Sequence, residues 1–302
     1  MVAFPCLEDV ARATEDEVLK LWEGLGYYSR ARNLKKTCEI LMYDYNGTIP
    51  SDEKTLLTLP GVGPYIAAAV ASIAFGQPTP VVDGNVCRVV TRLFGISDDI
   101  LKQGTKNAIR ARLDSVIRPV DPSSFNQGLM ELGATVCMPT SPICTECPLE
   151  DMCYAKQYNK IADFPVKKKK APIPHYHVVV GLIKDKQGHY LLTKRKTGGF
   201  LGGLWEFPGG KVEDGETNED ALHRELQEEL NVKVTIDSFL GTVKHAYSHF
   251  KVTIDAFECR PKRNSLSNLS LNVAEDSQWL LSTGFDSVAV PSGTKKIMGF
   301  VL

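Results

Sequence analysis

The chain has 302 residues, 43% of them hydrophobic and 24% charged, with a net charge of −1. That length predicts about two domains, and the balance is that of an ordinary globular protein with apolar material for two cores. The near-zero charge excludes a chain-wide polybasic surface, so nucleic acid would have to be met by local patches. The longest apolar runs, 66–75 and 178–183, are too short to cross a bilayer, and the start shows no cleavable leader pattern.

Residues 1–154 are expected to form a helical domain. Thr14-x-x-Glu17 is a capping box ahead of Val18, Leu19, Leu21 and Trp22. Helical patterns follow over 28–45, closed by Asn46-Gly47, and over 52–58, 64–75, 84–94, 104–118 and 123–136. No strand alternation interrupts them. Residues 155–174 read as a basic, proline-rich linker around Lys167-Lys168-Lys169-Lys170, a solvated tether. Residues 175–302 turn to an α+β pattern. Strands are predicted at 176–183 and 189–194, joined by a turn at Asp185-Lys186-Gln187-Gly188. A charged helix at 217–230 and strands at 233–243 and 250–258 complete it. No internal repeat is visible.

Four cysteines, Cys137, Cys144, Cys147 and Cys153, have the spacing C-x6-C-x2-C-x5-C. The chain offers them no matching set of disulfide partners. The loop 137–153 therefore reads as the ligand set of an iron–sulfur cluster, in a reducing compartment. Cys6, Cys38, Cys87 and Cys259 are scattered and expected to be buried free thiols.

Leu59-Pro60-Gly61-Val62-Gly63 lies between two helical patterns. Its glycines allow a tight turn with exposed backbone N–H groups, and the helix from Pro64 adds its own unpaired donors and positive dipole end. Such a corner grips phosphate without reading sequence. An ordinary helix–turn–helix corner is the alternative. The Leu-Pro before it and the alanine-rich helix after it favour a DNA-binding hairpin.

With Gly24-Leu25-Gly26-Tyr27-Tyr28-Ser29-Arg30-Ala31-Arg32-Asn33-Leu34, Val82-Asp83-Gly84-Asn85-Val86 and the cysteine loop, the chain resembles the helix-hairpin-helix DNA glycosylases of the endonuclease III superfamily. It is most similar to the MutY-type adenine DNA glycosylases, over nearly its whole length. The resemblance implies a multidomain fold: an all-α helix-hairpin-helix glycosylase domain with an iron–sulfur loop, then an α+β Nudix-fold domain. It implies a [4Fe-4S] cluster, a monomer in the cytoplasm associated with the nucleoid, and double-stranded DNA carrying 8-oxoguanine:adenine or guanine:adenine mispairs as substrate. The reaction it implies is hydrolysis of the adenine N-glycosidic bond.

Such enzymes flip the base from the duplex, and a carboxylate stabilises the oxocarbenium-like sugar. Asp83 fills that place. Its position just before Gly84 would by itself suggest a helix N-cap, and the resemblance implies both roles. Asn85 would orient the carboxylate or the sugar. Tyr65 stands where bifunctional relatives carry a Schiff-base lysine, which implies a monofunctional enzyme, and its hydroxyl is expected to touch the catalytic carboxylate. Tyr27 resembles the residue that wedges into the base stack. Leu59, Gly61, Val62 and Gly63, with Arg30, Arg32 and Arg88, are the expected DNA contacts; Lys35 is a further phosphate candidate, and the alternative for each of these basic residues is a plain surface charge.

The family's general acid is a glutamate on a helix upstream of the segment resembling Phe4-Pro5. Glu8, Glu15 and Glu17 do not sit in that motif, so the sequence reads as an N-terminally truncated coding region with weak or absent excision.

In the second domain, Gly210-x5-Glu216-x7-Arg224-Glu225-Leu226-x-Glu228-Glu229-x-Asn231-Val232 is close to a full Nudix box, with only its late glycine changed, to Asn231. Glu225, Glu228 and Glu229 share a helix face and are expected to bind Mg²⁺. His245-Ala246-Tyr247-Ser248-His249 resembles the loop that touches the lesion, which assigns Tyr247, Ser248 and His249 to 8-oxoguanine recognition. Two roles compete for this domain. One is a lesion reader, the favoured one; the other adds residual hydrolysis of 8-oxo-dGTP. Lesion binding without excision is a further alternative.

Overall fold

A computed structural model describes residues 3–168 and 172–302. Lys169 and Lys170 of the lysine run, and Ala171 of the expected linker, lie outside the described residues. In chain order the helices are α1 (Leu7–Arg12), α2 (Glu15–Leu21), α3 (Ser29–Asp44), α4 (Glu53–Leu56), α5 (Pro64–Ala69), α6 (Gly84–Phe94), α7 (Gln103–Ile117), α8 (Pro122–Glu131) and α9 (Tyr154–Gln157). Then come β1 (His175–Ile183), β2 (Tyr190–Arg195), β3 (Trp205–Glu206), β4 (Gly209–Lys211), α10 (Asn218–Leu230), β5 (Val234–Ala246), β6 (Lys251–Pro261), β7 (Ala274–Leu280) and α11 (Ser292–Met298). Single π-helical turns, Val70–Ala74 and Leu132–Val136, extend α5 and α8. Among the described residues no helix is long and apolar enough to cross a membrane.

The chain forms two compact units, Ile40–Ala171, and Met1–Glu39 together with Pro172–Leu302. The sequence reading grouped residues 1–39 with the helical half instead. In the structure Val18, Leu19, Tyr28 and Ala31 share one apolar cluster with Leu204 and Ala289. The expected linker also differs from expectation over its first part. Ala155 is fully buried and Phe164 nearly so, while Val166 accepts a hydrogen bond from Ile100 N–H at 3.1 Å. These residues belong to the packed helical unit, because their apolar side chains find a core there.

In the helical unit α6 is central. It runs from Asp83 as N-cap to Gly95 at φ 66. A Cβ at Gly95 would stand 2.6 Å from the Tyr154 ring, so both the backbone angle and the packing demand glycine. Val86, Cys87 and Val90 of α6 meet Ile109 and Leu113 of α7 and the partly buried Phe125 and Leu129 of α8.

The other unit holds two sheets, ordered β4-β1-β6-β5 and β3-β2-β7. β1 and β6 are parallel; β1 meets β4, and β5 meets β6, antiparallel. Side chains alternate along β1. Val180 and Leu182 face a core with Tyr190, Phe207 and Phe285. Val179 and Ile183 face Ala221, Leu222, Leu226 and Leu230 of α10. α10 starts at the Thr217 cap and ends at Asn231, which sits at φ 54. A position needing the left-handed conformation takes glycine or, next best, asparagine, which accounts for the change in the box.

Cys38, Cys87 and Cys259 are buried as expected, but Cys6 is exposed. It caps α1, where its Sγ donates to Asp9 Oδ2 at 2.8 Å.

Candidate active site

The 59–63 segment folds as a tight turn. Val62 N–H donates to the Leu59 carbonyl at 3.1 Å, and Gly61 stands at φ 74. Proline followed by a positive-φ glycine is what a type II turn requires. Gly63 is the N-cap of α5 and Pro64 its first residue. Gly61 is exposed and Val62 and Gly63 half-buried, so the turn presents backbone. Leu59 corrects the expectation: at 5% exposure it anchors the turn in the core and does not offer itself to a ligand.

Asp83 follows directly. Its Oδ1 accepts from Val86 N–H at 2.7 Å and its Oδ2 from Asn85 Nδ2 at 3.2 Å. Cap and charged side chain are thus the same group. Asn85 Oδ1 accepts from Arg88 Nη2 at 2.7 Å. Arg88 also donates to the carbonyls of Gly133, at 2.6 Å, and Cys137, at 2.7 Å. At 7% exposure Arg88 is not a phosphate contact, a second correction; interior acceptors use its fork, and desolvation lowers its pKa. Gly133 lets the π-turn approach, since a Cβ there would stand 2.7 Å from Asn85 Cβ. Tyr65 is 47% exposed. Among the described residues no hydrogen bond joins it to Asp83, contrary to expectation.

Two further residues hold this region and escaped the sequence reading. Arg92, 3% exposed, donates to the carbonyls of Phe164, Met138 and Pro139 and stands 3.4 Å from Cys137 Sγ. Asn126 is fully buried on α8. The available signal was a polar residue inside an apolar helical stripe, one position after Phe125 and three before Leu129.

Cys137, Cys144, Cys147 and Cys153 line one small cavity of about 30 Å³, closed by Val136, Pro142 and Ile161. Among the described residues no three His, Cys, Asp or Glu side chains are arranged to hold a single metal ion. Four cysteine side chains lining one cavity are the kind of donor set that an iron–sulfur cluster uses.

In the other unit the 24–29 and 245–249 segments wall a pocket of about 380 Å³. Tyr27 is 60% exposed, and its hydroxyl and Ser248 Oγ are 2.7 Å apart in a hydrogen bond. The exposed Arg30 guanidinium lies 5.0 Å from the Tyr27 ring centroid. Ser248 and His249 are exposed. Tyr247 is half-buried, its ring packed on Phe200, His245 and Phe250. Burial pushes its hydroxyl up to about 12, so it builds the wall while Ser248 faces the opening. Arg32 lines the same pocket, but its guanidinium donates to the Gly202 carbonyl; Lys35 pairs with Glu39. Neither is the free phosphate contact expected. Glu17 closes the Thr14 capping box and Glu8 pairs with Arg12 at 2.5 Å.

The acidic helix face is occupied by charge pairs of its own. Glu225, Glu228 and Glu229 do not converge into a metal site among the described residues. Arg224 bonds Glu216 at 2.7 Å, Glu225 at 3.0 Å and Glu228 at 3.3 Å. That guanidinium holds Glu216 down to about 2. Glu229 instead points to Gly209 N–H at 3.2 Å, and burial raises its carboxyl to about 7. One arginine thus sets its single positive charge among Glu216, Glu225 and Glu228 and leaves Glu229 apart.

Residues 1–118 match the HhH-GPD superfamily of base excision DNA repair proteins, and residues 179–299 match the NUDIX domain family. The adenine DNA glycosylase of Homo sapiens is 33% identical over 98% of this chain and 62% of its own length. The chain thus spans less than two thirds of that relative. The adenine DNA glycosylase of Schizosaccharomyces pombe is 30% identical over 96% of the chain and 72% of its own length. A solved thermostable thymine-DNA glycosylase is 31% identical over 52% of this chain and 72% of that one, with a TM-score of 0.46. The fold is multidomain, an all-α helix-hairpin-helix part followed by an α+β Nudix fold. By sequence over nearly all of its length, this chain belongs to the adenine DNA glycosylase family.

Proposed function

We propose that this protein is a monofunctional DNA glycosylase that hydrolyses the N-glycosidic bond of adenine mispaired with 8-oxoguanine or guanine in duplex DNA. The observation that carries the reading is the Asp83 carboxylate, fixed at the start of α6 by Val86 N–H and Asn85. Loss of the base builds positive charge on the sugar, and an immobilised carboxylate stabilises that charge without reorganising. Asn85 holds one carboxylate oxygen. Tyr65 has no amine for a Schiff base, so water takes the sugar carbon as adenine leaves, and the base-free sugar stays in the strand.

The turn at 59–63 presents its backbone to a phosphate, and the exposed Arg30 guanidinium near Tyr27 supplies a side-chain donor. Tyr27 stacks beside the lesion, and Ser248, with His249 next to it, hydrogen-bonds the modified base edge. The pocket that joins Tyr27 to Ser248 favours a lesion reader over a pyrophosphatase. Cys137, Cys144, Cys147 and Cys153 would hold a [4Fe-4S] cluster. When bound it supplies a rigid cross-link of the 137–153 loop, and no step of the reaction passes through it. In this reading the glycosylase chemistry lies in the unit 40–171, and the lesion is read by the unit that joins residues 1–39 to 172–302.

The test is single-turnover adenine release from an 8-oxoguanine:adenine duplex. Glu8, Glu15 and Glu17 do not sit in the general-acid motif, so slow release is expected, yet above that of Asp83→Asn; equal release by both overturns the reading.

A further inference from the structure

Asn126 spends its whole amide on the segment that leads into Asp83. Its Oδ1 accepts from Val81 N–H at 2.9 Å, and its Nδ2 donates to the Thr79 carbonyl at 2.9 Å and to Ser72 Oγ at 2.8 Å. Ser72 Oγ in turn donates to the Ala68 carbonyl at 2.7 Å. One side chain therefore reads a donor and an acceptor two residues apart along the backbone, and ties both to the π-turn that follows α5. Asn126, Ser72 and Val81 are all fully buried, at 0% exposure, so water cannot replace a lost partner.

Asp83 lies two residues beyond Val81. From its C-terminal side it is held by the cap on Val86 N–H and by Cys87 N–H on its carbonyl; from its N-terminal side, among the described residues, the nearest hydrogen-bonded backbone group is Val81 N–H on Asn126. Aspartate at 126 would lose both donated bonds, and leucine all three. We propose that Asn126 is a positioning residue for the Asp83 carboxylate: by pinning 79–81 it sets where that carboxylate stands against charge developing on the sugar. This rests on the glycosylase reading above. Asn126 touches no reacting atom.

The experiment uses the full chain with Asn126→Ala. Single-turnover adenine release is expected to fall about 10²-fold while the duplex Kd moves less than about threefold, the signature of displaced geometry. Hydrogen exchange supplies a readout that needs no activity. Protection of Val86 N–H, which reports the Asp83 cap, should fall more than that of Ile109 N–H in the core of α7. A Kd increase matching the rate loss, or equal loss of protection at the two amides, overturns the proposal. Should Asn126→Ala not fold, Ser72→Ala frees one of the three bonds and carries the same comparison, with a smaller loss expected. If the parent chain releases no more adenine than Asp83→Asn, the functional reading fails, and the comparison of Val86 with Ile109 still decides the role of Asn126.

Discussion

Arg88 and Glu229 illustrate how far a side chain's role depends on what surrounds it. Arg88 looked like a surface cation next to the Asp83 motif, yet it points inward and serves Asn85, Gly133 and Cys137. Arg88→Leu strips three interior acceptors of their donor, with an expected cost of about 2–4 kcal/mol, readable in urea denaturation. Arg88→Lys, a point donor in place of a fork, should recover only part. Glu229 makes a pH prediction. Burial first, then Glu206 and Glu225, raise its carboxyl from 4.5 to about 7 in the folded chain. The folded state therefore keeps a proton that the unfolded state releases. Its contribution is fully present below pH 4.5 and lost as pH rises through about 7. Moving from pH 5 to pH 8 should cost on the order of 1–2 kcal/mol, after allowance for partial exposure. Glu229→Gln should shrink that difference, measured by denaturation at the two pH values.

At the scale of elements, the end of α10 gives a clean test. Asn231 at φ 54 receives a bond from Gln227 and donates to the Asn268 carbonyl at 3.1 Å. Asn231→Ala keeps neither the side-chain bonds nor an easy left-handed backbone, and should cost about 1 kcal/mol. Asn231→Gly loses the bonds but suits the angle, so its thermal midpoint should lie between those of the parent and the alanine variant. Helices of this kind were legible because caps and periodicity mark them: Thr14 and Asp83 cap where the sequence suggests, and Thr217, read as the first residue of its helix, is the cap of α10. β3 and β4 were not, since Trp205–Glu206 and Gly209–Lys211 are too short for a period and exist through pairing with β2 and β1. β7 carries the largely polar AEDSQWL run. The π-turns were invisible for another reason: they change a hydrogen-bond register and leave the apolar pattern intact. The candidate site divides the same way. Asp83, Asn85 and the glycine turn stand in local motifs, whereas the inward turn of Arg88, the burial of Leu59 and the three bonds of Asn126 are set by partners remote in sequence.

At the scale of the molecule, the least legible feature is that residues 1–39 pack with 172–302. No local pattern could show it, because the contacts are made across most of the chain. Glu23 accepts from Val290 N–H at 3.2 Å and from Lys295 at 3.1 Å. Lys20 donates to the Val288 carbonyl at 3.0 Å. Leu19, fully buried, sits in the cluster that includes Leu204 and Ala289. The Tyr27–Ser248 pocket follows from that packing, since its two walls come from the two ends of this unit. If the grouping is right, a cavity cut at residue 19 must be felt in the strands. Leu19→Ala should destabilise the unit by about 2–4 kcal/mol. The sensitive reporter is Trp205 N–H, which donates to the Ala289 carbonyl at 2.9 Å; its hydrogen-exchange protection should fall in Leu19→Ala. Unchanged protection at Trp205, with loosening confined to α1 and α2, would mean that residues 1–39 are an appendage and that the pocket built on Tyr27 and Ser248 has no stable wall.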